Sequence, residues 1–149
     1  MPSDTTQNQN DITGRCYCGT VSLRFSAPPQ IVAYCHCSDC RRWTGAPAPA
    51  FAAFAPDTLT LSPDLGPGTS HTPGVTRWNC PDCGSPIAAQ FDYLPDQTYV
   101  PIGLLDQAAD FPPAMHCHSG STLPWLHMND TLPRANDSGR DALTASHDI

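Results

Sequence analysis

Apolar and polar residues alternate in short runs along this chain, and no run holds a helical period for long. TVSLRF (20–25), IVAY (31–34), PAFAAFA (49–55) and TLTL (58–61) each predict a short strand. VTRWNC (75–80), PIAAQF (86–91) and TYVPIG (98–103) do the same. Between them lie turn-rich pieces such as SPDLGPGTSHTPG (62–74), and 17 prolines with 10 glycines leave little room for long helices. A short helical turn is expected after Cys40 and another within LLDQAAD (104–110). The pattern predicts a mainly β fold, a small single domain with short helical turns only.

The ends differ from this middle. MPSDTTQNQNDI is polar and lacks the basic and apolar regions of an export signal, so residues 1–13 are expected to be a disordered tail. From about Pro133 the chain is again polar and aperiodic, and residues 133–149 are expected to be a flexible tail. The ordered domain is therefore placed at 14–132. Its length suits one modest core rather than two.

Charge narrows the possible partners. All 14 acidic residues are Asp, all seven basic ones are Arg, and the net charge is -7. Binding to a nucleic-acid backbone is won by neutralising phosphates, so a nucleic-acid partner is not expected. No apolar run approaches the length of a membrane span, so no membrane partner is expected either. A cytoplasmic location follows as the expectation, and there the eight cysteines point to metal rather than to disulfides.

The cysteines fall into groups. CYCG (16–19) and CPDCG (80–84) each end in a cysteine followed by glycine. The second resembles a zinc-knuckle turn, where glycine permits the left-handed backbone that lets the chain clear a metal. Cys16, Cys18, Cys80 and Cys83 together would close a tetrahedral shell and clamp distant strands; the alternative is a set of reduced core cysteines. That leaves CHCSDC (35–40) and the isolated Cys117. Cys35, Cys37 and Cys40 suit one face of a second zinc, with a fourth position open for chemistry. The competing reading closes that position with Cys117, His36, His116 or His118. The loop could also combine with a flanking pair, or form a disulfide from Cys35 to Cys37 or Cys40 when metal-free.

The order GRCYCG, CHCSDCRRWTG, CPDCGSP and H…LPW resembles the glutathione-dependent formaldehyde-activating enzyme family, whose domain centromere protein V shares. The resemblance runs from about Gly14 to about Leu132. It implies a β fold like that of the zinc-containing Rab exchange factors. It further implies that Cys16, Cys18, Cys80 and Cys83 hold a structural zinc, and Cys35, Cys37 and Cys40 a catalytic, exchangeable one. The activity implied is that of a carbon–sulfur lyase joining glutathione and formaldehyde. A departure is Cys117, where the family often has an aliphatic residue.

Other residues carry double readings. Arg41 and Arg42 could pair with the carboxylates of a glutathione-like substrate, or simply offset the thiolates or cap a short helix. His116 could shuttle protons near the second zinc or hydrogen-bond a ligand sulfur. Trp43, Trp78 and Trp125 are expected in the core, and His71 at the surface. Besides the lyase, a non-catalytic zinc-stabilised binding module and a thiol-based redox or metal sensor remain open.

Overall fold

The computed structural model describes residues 11–145. Its strands form two sheets. The smaller has the order β1-β2-β5, from β1 (Ile12–Arg15), β2 (Ser22–Phe25) and β5 (Leu59–Ser62). The larger has the order β10-β3-β4-β9-β8-β7-β6. It is built from β3 (Ile31–Cys35), β4 (Ala50–Phe54), β6 (Thr69–Thr72), β7 (Val75–Asn79), β8 (Pro86–Phe91), β9 (Thr98–Pro101) and β10 (Met115–Cys117). The helices are short: α1 (Ser38–Thr44), α2 (Arg140–Ala145) and a few 3-10 turns. This is the mainly β domain that the alternating runs predict.

Strand β4 shows why the large sheet needs cover on both faces. Its sequence AFAAF is apolar without interruption, as expected of a strand buried front and back. Ala52 and Phe54 join Val21, Leu23 and Phe25 of the small sheet's hairpin in one core, where the Phe25 and Phe54 rings stack. Phe51 and Ala53 point the other way, into a second core with Tyr99, Met115, Cys117 and Leu143. The second core carries the 35–40 loop on its rim, since Cys35, Cys37 and Cys40 pack against or within it.

Three strands escape the apolar pattern. β6 (TSHT) is exposed throughout, β1 (ITGR) carries only one large apolar residue, and β10 (MHC) is three residues long. β10 pairs in parallel with β3, setting His116 opposite Tyr34 and Cys117 opposite Cys35. That pairing is what brings MHCH to the CHCSDC loop.

The expected tails need qualification. Residues 1–10 lie outside the described residues, and Ile12 and Thr13 belong to β1, with Ile12 buried. Residues 133–145 lie against the body. The His116 N–H donates to Pro133 O at 2.9 Å, the Ala135 N–H returns to His116 O at 2.9 Å, and Leu143 of α2 is buried. Polarity hides this stretch from the sequence pattern, because a single buried leucine anchors it. The turn expected after Cys40 begins earlier, and Cys40 lies inside α1.

Candidate functional site

The first cluster sits where the two sheets meet. Cys16 and Cys18 occupy the β1–β2 turn, and Cys80 and Cys83 the β7–β8 turn. Both turns close in one way: Cys16 N–H bonds Val21 O at 3.0 Å, and Cys80 N–H bonds Ser85 O at 2.9 Å. Gly19 and Gly84 take φ of 86° and 81°, so each needs the freedom of glycine. The two turns are latched by Tyr17 N–H to Ser85 Oγ at 3.0 Å and Thr20 Oγ1 to Asp82 Oδ2 at 2.8 Å.

All four sulfurs lie within 4.8 Å of one another. Cys18 Sγ is 3.7 Å from Cys16 Sγ and 3.8 Å from Cys80 Sγ. A tetrahedron with ~2.3 Å zinc–sulfur bonds has an edge of about 3.8 Å. Backbone N–H groups of Val21 and Cys83 point at Cys16 and Cys80 sulfur, at 3.3 and 3.5 Å. The donor set therefore fits zinc. The Ser85 hydroxyl, bonded to Cys83 sulfur, brings that thiol down to about 5, while burial pushes Cys80 up to about 11. Metal uptake here releases the protons that remain.

The second cluster lies at the exit of β3. Cys35 Sγ is 3.5 Å from both Cys37 Sγ and Cys40 Sγ. Cys37 is the N-cap of α1, its sulfur accepting the Cys40 N–H at 3.3 Å. Bonds from the Cys35 and Cys40 thiols hold Cys37 far below the usual thiol range, and Cys35 is raised because it shares its proton with both neighbours. Cys35, Cys37 and His118 form a further group with ligand atoms within 4.8 Å. Both cysteine-rich groups can hold metal ions and are compatible with zinc.

The remaining candidates separate. Arg41 Nη1 donates to His36 O at 2.7 Å and Ser121 O at 2.6 Å, which ties the loop down. Arg42 is exposed, without a hydrogen bond among the described residues. His116 faces away from the sulfurs: its Nδ1 meets His36 Nε2 at 2.8 Å and its Nε2 meets Asp130 Oδ2 at 3.0 Å. Cys117 is buried, and burial pushes its thiol up to about 11. Trp43 and Trp78 are half-buried and His71 is exposed. Trp125, expected in the core, is instead 64% exposed: it sits in a turn outside any strand or helix.

Sequence reasoning missed four polar residues: Asp39, Arg77, Asn79 and Asp130. Arg77 pairs with Asp39 at 2.7 Å and stacks over Trp43, 4.4 Å from its centroid, so a cation stands beside Cys40. Trp43 Nε1 in turn donates to Asn79 Oδ1 at 3.0 Å, next to Cys80. The available signal was an arginine inside the otherwise strand-like VTRWNC. Asp130, which fixes His116, comes from a loop without pattern. His36 and His116, with Leu126, His127, Met128 and Arg134, line a cavity of about 510 Å³ beside the loop.

The sequence profile of the family described as glutathione-dependent formaldehyde-activating enzyme matches residues 11–121, most of the chain. The chain belongs to this family. No protein of curated function matches the sequence. Among solved structures, a crystal structure of a Rhodobacter sphaeroides protein is similar, with 20% identity and a TM-score of 0.48. The match covers 83% of this chain and 99% of that one. No described helix is long and apolar enough to cross a membrane.

Proposed function

We propose that this protein is a zinc-dependent carbon–sulfur lyase that joins or cleaves an adduct of a small thiol, such as glutathione, with formaldehyde or a related aldehyde. Family membership over residues 11–121 supports the reaction class. One observation carries the site: three sulfurs of a single loop converge at 3.5 Å around Cys35, while the other cluster already has its four. Cys16, Cys18, Cys80 and Cys83 form the structural set, and Cys35, Cys37 and Cys40 the reactive one.

Zinc held by the reactive set would supply an exchangeable position for sulfur and a lowered thiol pKa. Three thiolates make that set electron-rich, which suits soft thiol partners better than water activation. The chain's own groups prepare the loop. Arg41 clamps the carbonyls of His36 and Ser121, and the Asp39–Arg77 pair places a cation beside Cys40. In the addition, the thiol sulfur bonds to the carbonyl carbon, the C=O π pair moves to oxygen, and the thiol proton ends on that oxygen. Cleavage reverses each move.

Two further readings accompany this one. The two-sheet arrangement is related to the zinc-containing Rab exchange factor fold, and the protein acts in the cytoplasm without nucleic-acid or membrane partners. The test uses ¹³C-formaldehyde and glutathione, with adduct formation followed by NMR above the uncatalysed rate. Cys37→Ala should fall to the uncatalysed rate with the fold retained. Full activity in that variant would sink the reading.

A further inference from the structure

Cys117, His36, His116 and His118 could each have closed the reactive set, and the structure separates them. His36 and His116 spend ring nitrogens on one another, and His116 spends its second on Asp130. Cys117 is sealed in the second core; a Cβ added at Gly139 would stand 3.3 Å from its sulfur. His118 alone of the four joins Cys35 and Cys37 in a group whose ligand atoms lie within 4.8 Å.

Its backbone explains how it gets there. Along β10 the side chains alternate, His116 facing the cavity with Leu126 and His127 and Cys117 facing the second core. An extended continuation would return His118 to the His116 face. Instead His118 takes φ 54° and ψ 41°, the sole positive φ at a non-glycine among the described residues. Its ring then borders a small space of about 40 Å³ together with Cys35 and Cys117. The left-handed turn is fixed by His118 N–H to Asp137 O at 2.6 Å and Ser121 N–H to His118 O at 2.9 Å. Left-handed conformation costs a residue with a Cβ about 1 kcal/mol or more. Its half-buried imidazole makes no hydrogen bond to another described residue, which leaves a ring nitrogen free to serve as a ligand.

We propose that His118 is the resident fourth donor of the Cys35–Cys37–Cys40 centre, and that a substrate thiol takes its place there. This rests on the reading of that cluster as a zinc site. A Cys₃His set is a usual zinc environment, and its one neutral donor is the one that leaves without exposing a charge. The ring hangs from a three-residue edge strand and a turn, whereas the three sulfurs belong to one loop and helix. The site is thus capped by the chain itself at rest.

The zinc-loaded full chain would be studied by zinc K-edge X-ray absorption, in which imidazole leaves a distinct outer-shell signature that cysteine does not. The four-cysteine site contributes none, so any such signature belongs to the second site. Expected are one imidazole per two zincs in the wild type, loss of it in His118→Asn, and retention in His116→Gln. Asn tolerates the left-handed backbone, which keeps the variant foldable. Zinc release to a chelator should also speed up about tenfold for one of the two ions in His118→Asn. Adding glutathione to the wild type should replace the imidazole signature by sulfur. Two zincs without imidazole in the wild type would overturn the assignment of His118 and leave the lyase reading standing. Imidazole that persists under glutathione would overturn the exchange and make the site structural. A single zinc per chain would overturn both readings.

Discussion

His36 Nε2 lies 2.8 Å from His116 Nδ1, both rings being buried, so the two imidazoles share one hydrogen bond. Asp130 loses water around its carboxyl, but the Leu132 N–H, His116 and Arg134 outweigh that and hold it below the usual range, ionised. An ionised Asp130 accepts from His116 Nε2, and the other face of that ring shares one hydrogen bond with His36 Nε2. His36 Nδ1 is buried without a partner among the described residues, so a proton added to this ring would have nothing to receive it.

The burial of this pair has a pH consequence. Burial, followed by the neighbouring His116, lowers the His36 pKa from 6.5. Below 6.5 the unfolded chain takes up a proton there that the folded chain resists, so stability from this residue is full above 6.5 and lost as pH falls. His36→Gln keeps a donor near Nε2 and does not titrate. The stability gap between wild type and His36→Gln, from urea unfolding with metal present, should shrink from pH 7 to pH 5. A gap that stays constant would show that His36 does not resist protonation.

The two cysteine clusters should respond differently to loss of a ligand. Cys80 is buried and its site ties the β1–β2 turn to the β7–β8 turn across both sheets. Structural zinc contributes about 10–16 kcal/mol to a small domain, comparable to or above a typical total stability of about 5–15 kcal/mol. Cys80→Ala, or prolonged chelation of the wild type, should therefore abolish the near-ultraviolet dichroism and cooperative melting. Cys37→Ala removes a ligand from a local loop and should lower Tm by less than about 10 °C. Equal losses in both variants would mean that the clusters share one structural role.

Much of this was visible beforehand, for physical reasons that also explain the gaps. β4 and β8 announce themselves because their apolar runs are too short for a helix and are flanked by proline. The cysteine clusters announce themselves because sulfur and glycine at fixed short spacing serve a metal. What stayed hidden depends on long-range pairing. Asp39 and Arg77 are 38 positions apart, and nothing local says that α1 and β7 meet. His118 could be named as one candidate among four, but choosing it needed the left-handed turn after β10 and the parallel register of Cys117 with Cys35. β6 has no apolar residue to reveal it; it is held by main-chain pairing with β7.

The C-terminal stretch offers a stability test. Gly139 has φ 67°, and a Cβ there would come within 2.9 Å of Met115 Cε, while Leu143 is 3% exposed in the second core. Leu143→Ala should cost about 2–4 kcal/mol by loss of burial, and Gly139→Ala should cost at least ~1 kcal/mol from backbone strain with crowding added. Chemical denaturation at fixed zinc would measure both. Wild-type stability in both variants would show that residues beyond Pro133 do not support the core.

Arg77 tests whether the polar link beside the second cluster is structural or electrostatic. Its guanidinium is 12% exposed, paired with Asp39 that is 43% exposed, and laid over Trp43 and Phe91. Half-exposure of Asp39 screens the pair, so the larger part of its value is the stacking of a desolvated cation on Trp43. Arg77→Gln should cost about 2 kcal/mol and change Trp43 emission, while Asp39→Asn should cost less than ~1 kcal/mol. For the reactive set, the lost positive charge matters more than the lost packing, because three thiolates and one divalent ion leave a net negative centre. Arg77→Gln should then give up its second zinc to a chelator several-fold faster than wild type. Asp39→Asn, which leaves the cation in place, should hold its zinc at least as tightly. If instead both variants lose zinc at the same increased rate, the pair acts by bracing α1 rather than by balancing charge at Cys40.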